Sequence, residues 1–515
     1  MFDPQVLGEA LMIIADPSVW YQVAIGVLIG ITVGAIPGLS TSAGMALTLP
    51  ATLMLPTGAA FGLIIGVYKG STFGGSISAI TFATPGTAGA AMTSLDGYPL
   101  MRQGKGKKAL QTALYSSVTA DVATDIMTMM VAPMIAVVAL SFGPGERTAL
   151  IVLAFMLIGT LAHESPVKGL LAAAMGMVLG IIGIDPVAQA SRLTFGFYWL
   201  RDGIDIIPLM IGMFAVSTML LQITEHKTGG KVAEKASEVI KKASEGLKFH
   251  EFRKTFKSIG LGIGVGSICG VLPGLGSTAA SMLAYTLAKR LSKNSSEFGK
   301  GSLEGIAAAE AGNNATVGPT LIPLLAFGVP GSTPAALIGG ALMLKGLTPS
   351  PMLFETHASM VVALLLILLL ANFVNLILSS VVFPIYARVG QLPQQILVPI
   401  VLLLSVVGTY AYRSNPYDVL IMFLIGIIGF LMKIYEYPIP PLVLAFILTP
   451  LLEQSLRRSL VITSGDVAAA FSSPLSLVML TAAVLIFFLS FKISSKMEAV
   501  SAEAKQEKQA DKEAR

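Results

Sequence analysis

Charge is what this chain has least of. Only 12% of its 515 residues are Asp, Glu, Lys or Arg, against 54% hydrophobic. An ordinary soluble domain carries about 25% charged residues. With a mean hydropathy of +0.78, the shortfall excludes a soluble globular protein and implies a multi-pass membrane protein in contact with a lipid bilayer. The formal net charge is only +5 and its basic residues are gathered in a few loops, so a nucleic-acid partner is not expected. Cysteine is nearly missing. The single Cys269 excludes an intrachain disulfide and any cysteine-rich metal cluster, and reads as a small packing residue. No Gly-x-x-x-x-Gly-Lys-Ser/Thr loop occurs, so ATP coupling within the chain is not expected. His163-Glu164 is not a zinc-protease signature, because Val167 stands where the second histidine would be needed. Met1 to Val19 has no Lys or Arg, and a removable signal peptide is not expected.

Long apolar runs are what the chain has in place of charge. Stretches of about 20 residues, each enough to span a bilayer, recur from Val19 to Phe491, roughly ten to twelve in all. Glycine and proline are abundant, 52 and 28 residues, and dispersed through these runs, as in broken and closely packed membrane helices. One arrangement of them occurs twice. Gly26, Gly30, Gly34 and Pro37-Gly38-Leu39 are matched by Gly262, Gly266, Gly270 and Pro273-Gly274-Leu275. A glycine at every fourth position leaves a bare stripe on one helix face, where another backbone can approach. Pro-Gly then stops the helix. A break inside an apolar span is tolerated where the freed backbone groups are buried in protein or line a site, and a break repeated in two halves points to a transporter binding site.

The spacing implies an all-α polytopic membrane protein in four parts. They are a first membrane repeat at 1–222, a charged linker at 223–257, a second membrane repeat at 258–491, and a charged tail at 492–515. Glu225 to Lys257 holds nine Lys or Arg against five Glu and reads as a cytoplasmic helical linker. Loop charge adds an orientation. The loop after Pro37-Gly38 is uncharged and the one at Arg102, Lys105, Lys107 and Lys108 is basic. In the second half the order reverses: Lys289, Arg290, Lys293 and Lys300 follow the break, while Leu344 to His357 holds only Lys345 among basic chain positions other than His357. By the positive-inside rule equivalent loops would lie on opposite sides of the membrane, which is an inverted repeat. Aligning Pro85-Gly86 with Pro330-Gly331 sets Tyr68-Lys69 against Asn313-Asn314.

The doubled Pro-Gly-Leu motif, Tyr68-Lys-Gly-Ser-Thr-Phe-Gly-Gly-Ser76, Asp96-Gly-Tyr-Pro99 and Glu310-Ala-Gly-Asn-Asn314 together resemble the large membrane subunit of the tripartite tricarboxylate transporters, over about Val19 to Leu460. The resemblance implies a bacterial inner-membrane carrier for citrate-like or other organic anions, driven by cation symport. It also implies two partners, a small four-span membrane protein and a periplasmic solute-binding protein. Two positions depart from the pattern. Lys69 stands where a neutral residue is expected, and Thr348-Pro-Ser350-Pro351 where glycine and proline usually alternate.

A carboxylate substrate needs hydrogen-bond donors and positive potential, which half-helix N-termini supply. Pro37, Gly38, Thr41 and Ser42, with Pro273, Gly274, Ser277 and Thr278, are therefore the candidate substrate residues, the two breaks facing each other near the midplane. The alternative is that the stripes and breaks only pack helices. Na⁺ wants neutral or anionic oxygens, and Ser71, Ser76, Glu310, Asn313, Asn314 and Thr316 are the candidate cation or coupling residues; H⁺ is the other coupling ion open here. Against this, the asparagines could be interhelical glue and Glu310 a helix-end residue reaching the interface. Asp121 and Asp125, one helical turn apart, are a further proton-site candidate. Lys69 could attract substrate or pair with an acid, and Asp96-Gly-Tyr-Pro99 reads as a surface turn. No cofactor, no catalytic residue and no metal beyond Na⁺ are expected. A channel or structural membrane subunit is the alternative to a carrier, and a membrane-embedded enzyme a more distant one.

Overall fold

The structure is a computed structural model and describes residues 3–161, 165–185, 189–224, 245–389 and 394–492. His163-Glu164, most of the charged linker and nearly all of the tail lie outside the described residues. Among those described the chain is helical almost throughout, with a single two-stranded hairpin pairing Gly183–Ile184 with Ser191–Arg192. Eight helices among the described residues are long and apolar enough to cross a membrane. The protein is an all-α polytopic membrane protein. It divides into two units, Met1–Ser141 with Ile204–Tyr435, and Phe142–Gly203 with Glu436–Arg515.

The first unit opens with α1 (Pro4–Ala15) and α2 (Pro17–Ala35). Each starts on an aspartate, Asp3 or Asp16, that accepts a backbone N–H two residues on and precedes a proline at the first helical position. α2 carries the first glycine stripe and stops before Pro37, where Gly38 has φ +92°, a conformation that favours glycine. The short α3 (Thr41–Thr48) resumes, and α4 (Thr57–Phe82) follows, buried on nearly every face. α2 and α4 lie backbone to backbone. A Cβ on Gly26, Gly30 or Gly34 would stand 2.3–2.4 Å from a carbonyl oxygen of α4, and one on Gly66, Gly70 or Gly74 2.4–2.6 Å from a carbonyl of α2. Two interlocked glycine rows thus bring the polar residues of α4 into the bundle.

α5 (Thr93–Arg102) and the long α6 (Gly106–Leu140) complete the first half. Asp96-Gly-Tyr-Pro99 is therefore helical, not a turn: Gly97 packs on Ile80 and Pro99 sits inside α5, while Asp96 is fully buried.

After α7 (Pro144–Leu161) and α8 (Pro166–Gly180) of the second unit, the first unit resumes with α9 (Ile206–Thr224), which widens to a π-helical turn at Ile211–Val216. The short α10 (Phe249–Lys254) leads to α11 (Phe256–Val271), which carries the second stripe. It too stops before Pro-Gly, with Gly274 at φ +97°, and α12 (Gly276–Leu291) resumes. α13 (Leu303–Asn314), α14 (Leu321–Phe327) and α15 (Thr333–Leu344) follow. α11 packs on α13 through its stripe: a Cβ on Gly262 or Gly266 would stand 2.5 Å from the methyl of Ala311 or Ala315. α16 (Ala358–Val389) then crosses against α2, α4 and α6.

The second unit also relies on close backbone approaches. Within it, α8 packs on α7 and on Ile439–Ile462, a Cβ on Gly169 falling 1.8 Å from the Gly159 carbonyl and one on Gly176 2.0 Å from that of Leu442. Its hairpin is tied to that last helix by ion pairs of Arg192 with Glu453 at 2.8 Å and of Arg457 with Asp185 at 2.7 Å.

Candidate functional site

The glycine interlock sets α4 close to α6 and α13, and each brings polar side chains to the contact. Along α6 they recur every fourth residue, at Ser117, Asp121 and Asp125, so they lie in one line on one face. All three are buried, as are Lys69 and Ser76 of α4 and Glu310, Asn313 and Asn314 of α13.

Two centres form on this line. At the first, Glu310 accepts the hydroxyls of Ser76 at 2.6 Å, Ser117 at 2.9 Å and Thr93. Asn314 donates to Ser117 at 2.8 Å and to the Glu310 carbonyl at 3.1 Å. Three hydroxyl donors from three helices hold this carboxylate, so it does not reach an interface. One helical turn along is the second centre. The Lys69 ammonium lies 2.7 Å from Asp121 and 2.8 Å from Asp125, with no exposure on its side chain. Asn372 of α16 donates to Asp125 at 2.7 Å. Lys69 thus pairs with acids of its own bundle. Breaking a buried pair by removing one partner costs about 3–5 kcal/mol, because the other charge is left uncompensated.

The two Pro-Gly loops treat the two breaks alike. Gly86 lies so close to the end of α2 that a Cβ would sit 1.8 Å from the Gly34 carbonyl, and a Cβ on Gly331 would sit 2.7 Å from the Gly270 carbonyl. The first of these loops also reaches into the opposite half. Gly89 of the first half packs on Asn313 and Ser277 of the second. Tyr68 and Asn313 are the residues that the sequence alignment pairs.

The expected substrate residues separate into three settings. Ser277 joins Asn313 beside Gly89, and Pro273 is buried next to Gly274, whose N–H donates to the Gly331 carbonyl at 3.4 Å. Pro37 and Thr41 are half-buried, Ser42 is buried, and Gly38 is exposed beside the Gln222 amide. Ser40, which sequence reasoning passed over, caps α3 by accepting the Ala43 N–H at 3.1 Å. Thr278 is exposed. Among the cation candidates, Ser76, Glu310 and Asn314 come together, whereas Ser71 and Thr316 bond to carbonyls of their own chain segment, those of Tyr68 at 3.1 Å and Asn313 at 2.8 Å. Ser117, Thr93 and Asn372 were missed. Only the four-residue repeat of polar positions along α6 signals the first, and nothing in the sequence signals the other two. Among the described residues no group of three or more His, Cys, Asp and Glu side chains is set to hold a metal ion.

Ionisable side chains buried against one another, beside doubled helix breaks in a multi-helix bundle, are the construction of a membrane transport protein. The chain belongs to the tripartite tricarboxylate transporter TctA family, whose family model matches residues 21–444. It is a multi-pass protein of the bacterial inner membrane and a membrane subunit of a tricarboxylate transporter. It is 34% identical over 481 residues, 93% of this chain and 95% of the relative, to an uncharacterized 52.8 kDa protein in the TAR-I ttuC' 3' region of Agrobacterium vitis. It is 35% identical over 240 residues, 46% of this chain and 99% of the relative, to an uncharacterized protein in the TAR-II ttuC' 3' region of the same organism. No solved structure matches.

Proposed function

We propose that this chain is the large permease subunit of a three-component secondary transporter that imports an organic di- or tricarboxylate by Na⁺ or H⁺ symport. Its partners in this reading are a small four-span membrane subunit and a periplasmic solute-binding protein. It performs no enzymatic step and needs no cofactor beyond the coupling cation. Family membership supports the transport role. The observation that carries the site is the Asn313 side chain: its Nδ2 is buried without an acceptor, and it stands with Ser277 beside the second break. A buried amide donor without a partner costs about 1–3 kcal/mol, and a carboxylate oxygen supplies the acceptor it lacks. The reversed loop charges of the two halves support an inverted arrangement, in which one repeat rocks against the other to expose the breaks alternately.

The reading is tested in proteoliposomes holding this chain and its small partner, with and without the binding protein, using labelled citrate first and other di- and tricarboxylates after it. Saturable uptake that requires the binding protein is expected, with the half-saturation concentration raised about tenfold or more by Asn313→Ala, the equivalent of losing one directed hydrogen bond. Non-saturable flux indifferent to the binding protein would instead mark a channel.

A further inference from the structure

We propose that Lys69, Asp121 and Asp125 form a proton-carrying site, so that the coupling ion of this transporter is H⁺ and not Na⁺. The inference rests on the carrier reading above and adds the identity of the ion and the groups that hold it.

The first observation is charge. Two carboxylates face one ammonium in a site without solvent exposure, so the ionised triad holds one negative charge in excess. Such an excess inside a membrane protein is costly, and taking up a single cation removes it. The second is the set of oxygens that could receive that cation. Asp121 Oδ2 and Asp125 Oδ1 are buried and have no donor, although the other oxygen of each carboxylate is bound to Lys69. Glu310 differs, since its three hydroxyl donors satisfy it as a carboxylate.

Geometry then selects the proton. The ammonium already occupies the space between the two carboxylates where a metal cation would have to sit, and it repels a second cation there. Asn372 turns its Nδ2 toward Asp125, presenting a donor where Na⁺ would need an oxygen. Gly318 packs against Asp125 Oδ1, a Cβ there falling 2.5 Å from it and 2.9 Å from Thr128 Oγ1. That leaves room for an O–H and little for a hydrated ion. Arrival of a proton forms an O–H bond on one carboxylate, and its departure restores the anion, with no other bond changed. The ionisable groups that face the site are Lys69 and Tyr68 from α4 and Glu310 from α13, and α16 faces it with the neutral Asn372. Asp121 is one turn from Ser117, which bonds both Glu310 and Asn314, so a proton at the triad borders the polar network that reaches the second break.

The test uses the complete transporter in liposomes loaded with a pH indicator, with labelled citrate and the other carboxylates as probes. Uptake is driven by an imposed pH gradient in choline medium free of Na⁺, or by a Na⁺ gradient at equal pH. Concentrative uptake in the Na⁺-free medium, with acidification of the lumen in step with it, is expected. Lys69→Gln leaves the carboxylates without their resident cation, and its uptake is expected to gain a Na⁺ dependence of about tenfold or more. Because that variant could fail to fold, an infrared measurement on the wild type accompanies it: a protonated-carboxyl band that shifts with pH is expected, and Asp121→Asn or Asp125→Asn removes it. Accumulation that needs Na⁺ and carries no protons, or the absence of that band, would overturn the proton site and leave the carrier intact. No accumulation of any probe under either gradient would remove the carrier reading, and this inference with it.

Discussion

The Asp96 carboxylate accepts the backbone N–H of Ser302 at 2.8 Å, linking α5 to the start of α13. The same oxygen accepts the N–H groups of Gly299 and Gly301 at 2.8 and 2.9 Å, and the Tyr285 hydroxyl donates to the other oxygen at 2.9 Å. Gly299 and Gly301 reach this geometry through positive φ, at +85° and +112°. Each buried donor left without its acceptor costs about 1–3 kcal/mol, so Asp96→Ala is expected to prevent a stable fold. Asp96→Asn keeps an acceptor for the N–H groups and should lower the melting midpoint in detergent by less. Equal midpoints for wild type and Asp96→Ala would contradict the linking role.

Glycine-to-alanine changes should divide sharply by position. A Cβ on Gly30 would stand 2.4 Å from the Val67 carbonyl, a backbone atom that cannot swing aside, whereas Gly264 on α11 meets nothing within 4 Å. Gly30→Ala is expected to destabilise by about 1–3 kcal/mol or more, and Gly264→Ala to leave thermal stability unchanged or raised. Size-exclusion chromatography after graded heating distinguishes them. Similar losses from both would mean that α2 and α4 do not touch along the stripe.

Glu251 predicts a pH effect outside the membrane helices. A hydrogen bond from the Lys108 ammonium at 2.8 Å, then one from the Lys248 N–H at 2.9 Å, holds its carboxyl below the ordinary value of 4.5. A folded-state value that is depressed contributes stability above the unfolded value, and the contribution disappears as pH falls through the folded one. The anchoring of α10 to α6 should therefore be complete at neutral pH and weaken only below about pH 4. Hydrogen exchange across residues 249–254 reads this out. Glu251→Gln should show at pH 7 the faster exchange that the wild type shows only in acid, and identical exchange would refute the anchor.

Gly89→Ala tests the second break. Its methyl would fall 2.0 Å from Asn313 Oδ1 and 2.8 Å from Ser277 Oγ, so it must displace one of them. Apparent affinity for the transported carboxylate should fall about tenfold, the equivalent of roughly 1.4 kcal/mol. An unchanged affinity in a properly assembled transporter would place the substrate elsewhere.

The fold was largely legible where local chemistry decides it. Both Pro-Gly breaks and the two glycine stripes are short-range patterns, and each is where the sequence puts it. Partnerships between distant residues were not. Lys69 is separated from Asp121 and Asp125 by 52 and 56 residues, and no local rule pairs them. Asp96 was misread for a related reason: Asp-Gly and Tyr-Pro favour turns locally, but a distant loop of N–H groups holds the aspartate within a helix. Glu310 could be named from sequence as an intramembrane acid, but Thr93 and Ser117 could not be named as its donors, because ordinary serines and threonines in membrane helices bond their own backbone.

The most direct single measurement is the steady-state ratio of internal to external labelled carboxylate in liposomes holding the assembled transporter under an imposed cation gradient. Secondary active transport predicts a ratio well above one that collapses when an ionophore dissipates the gradient. A ratio that settles at one, with or without the gradient, would contradict it and make the buried network a structural core of a passive pathway.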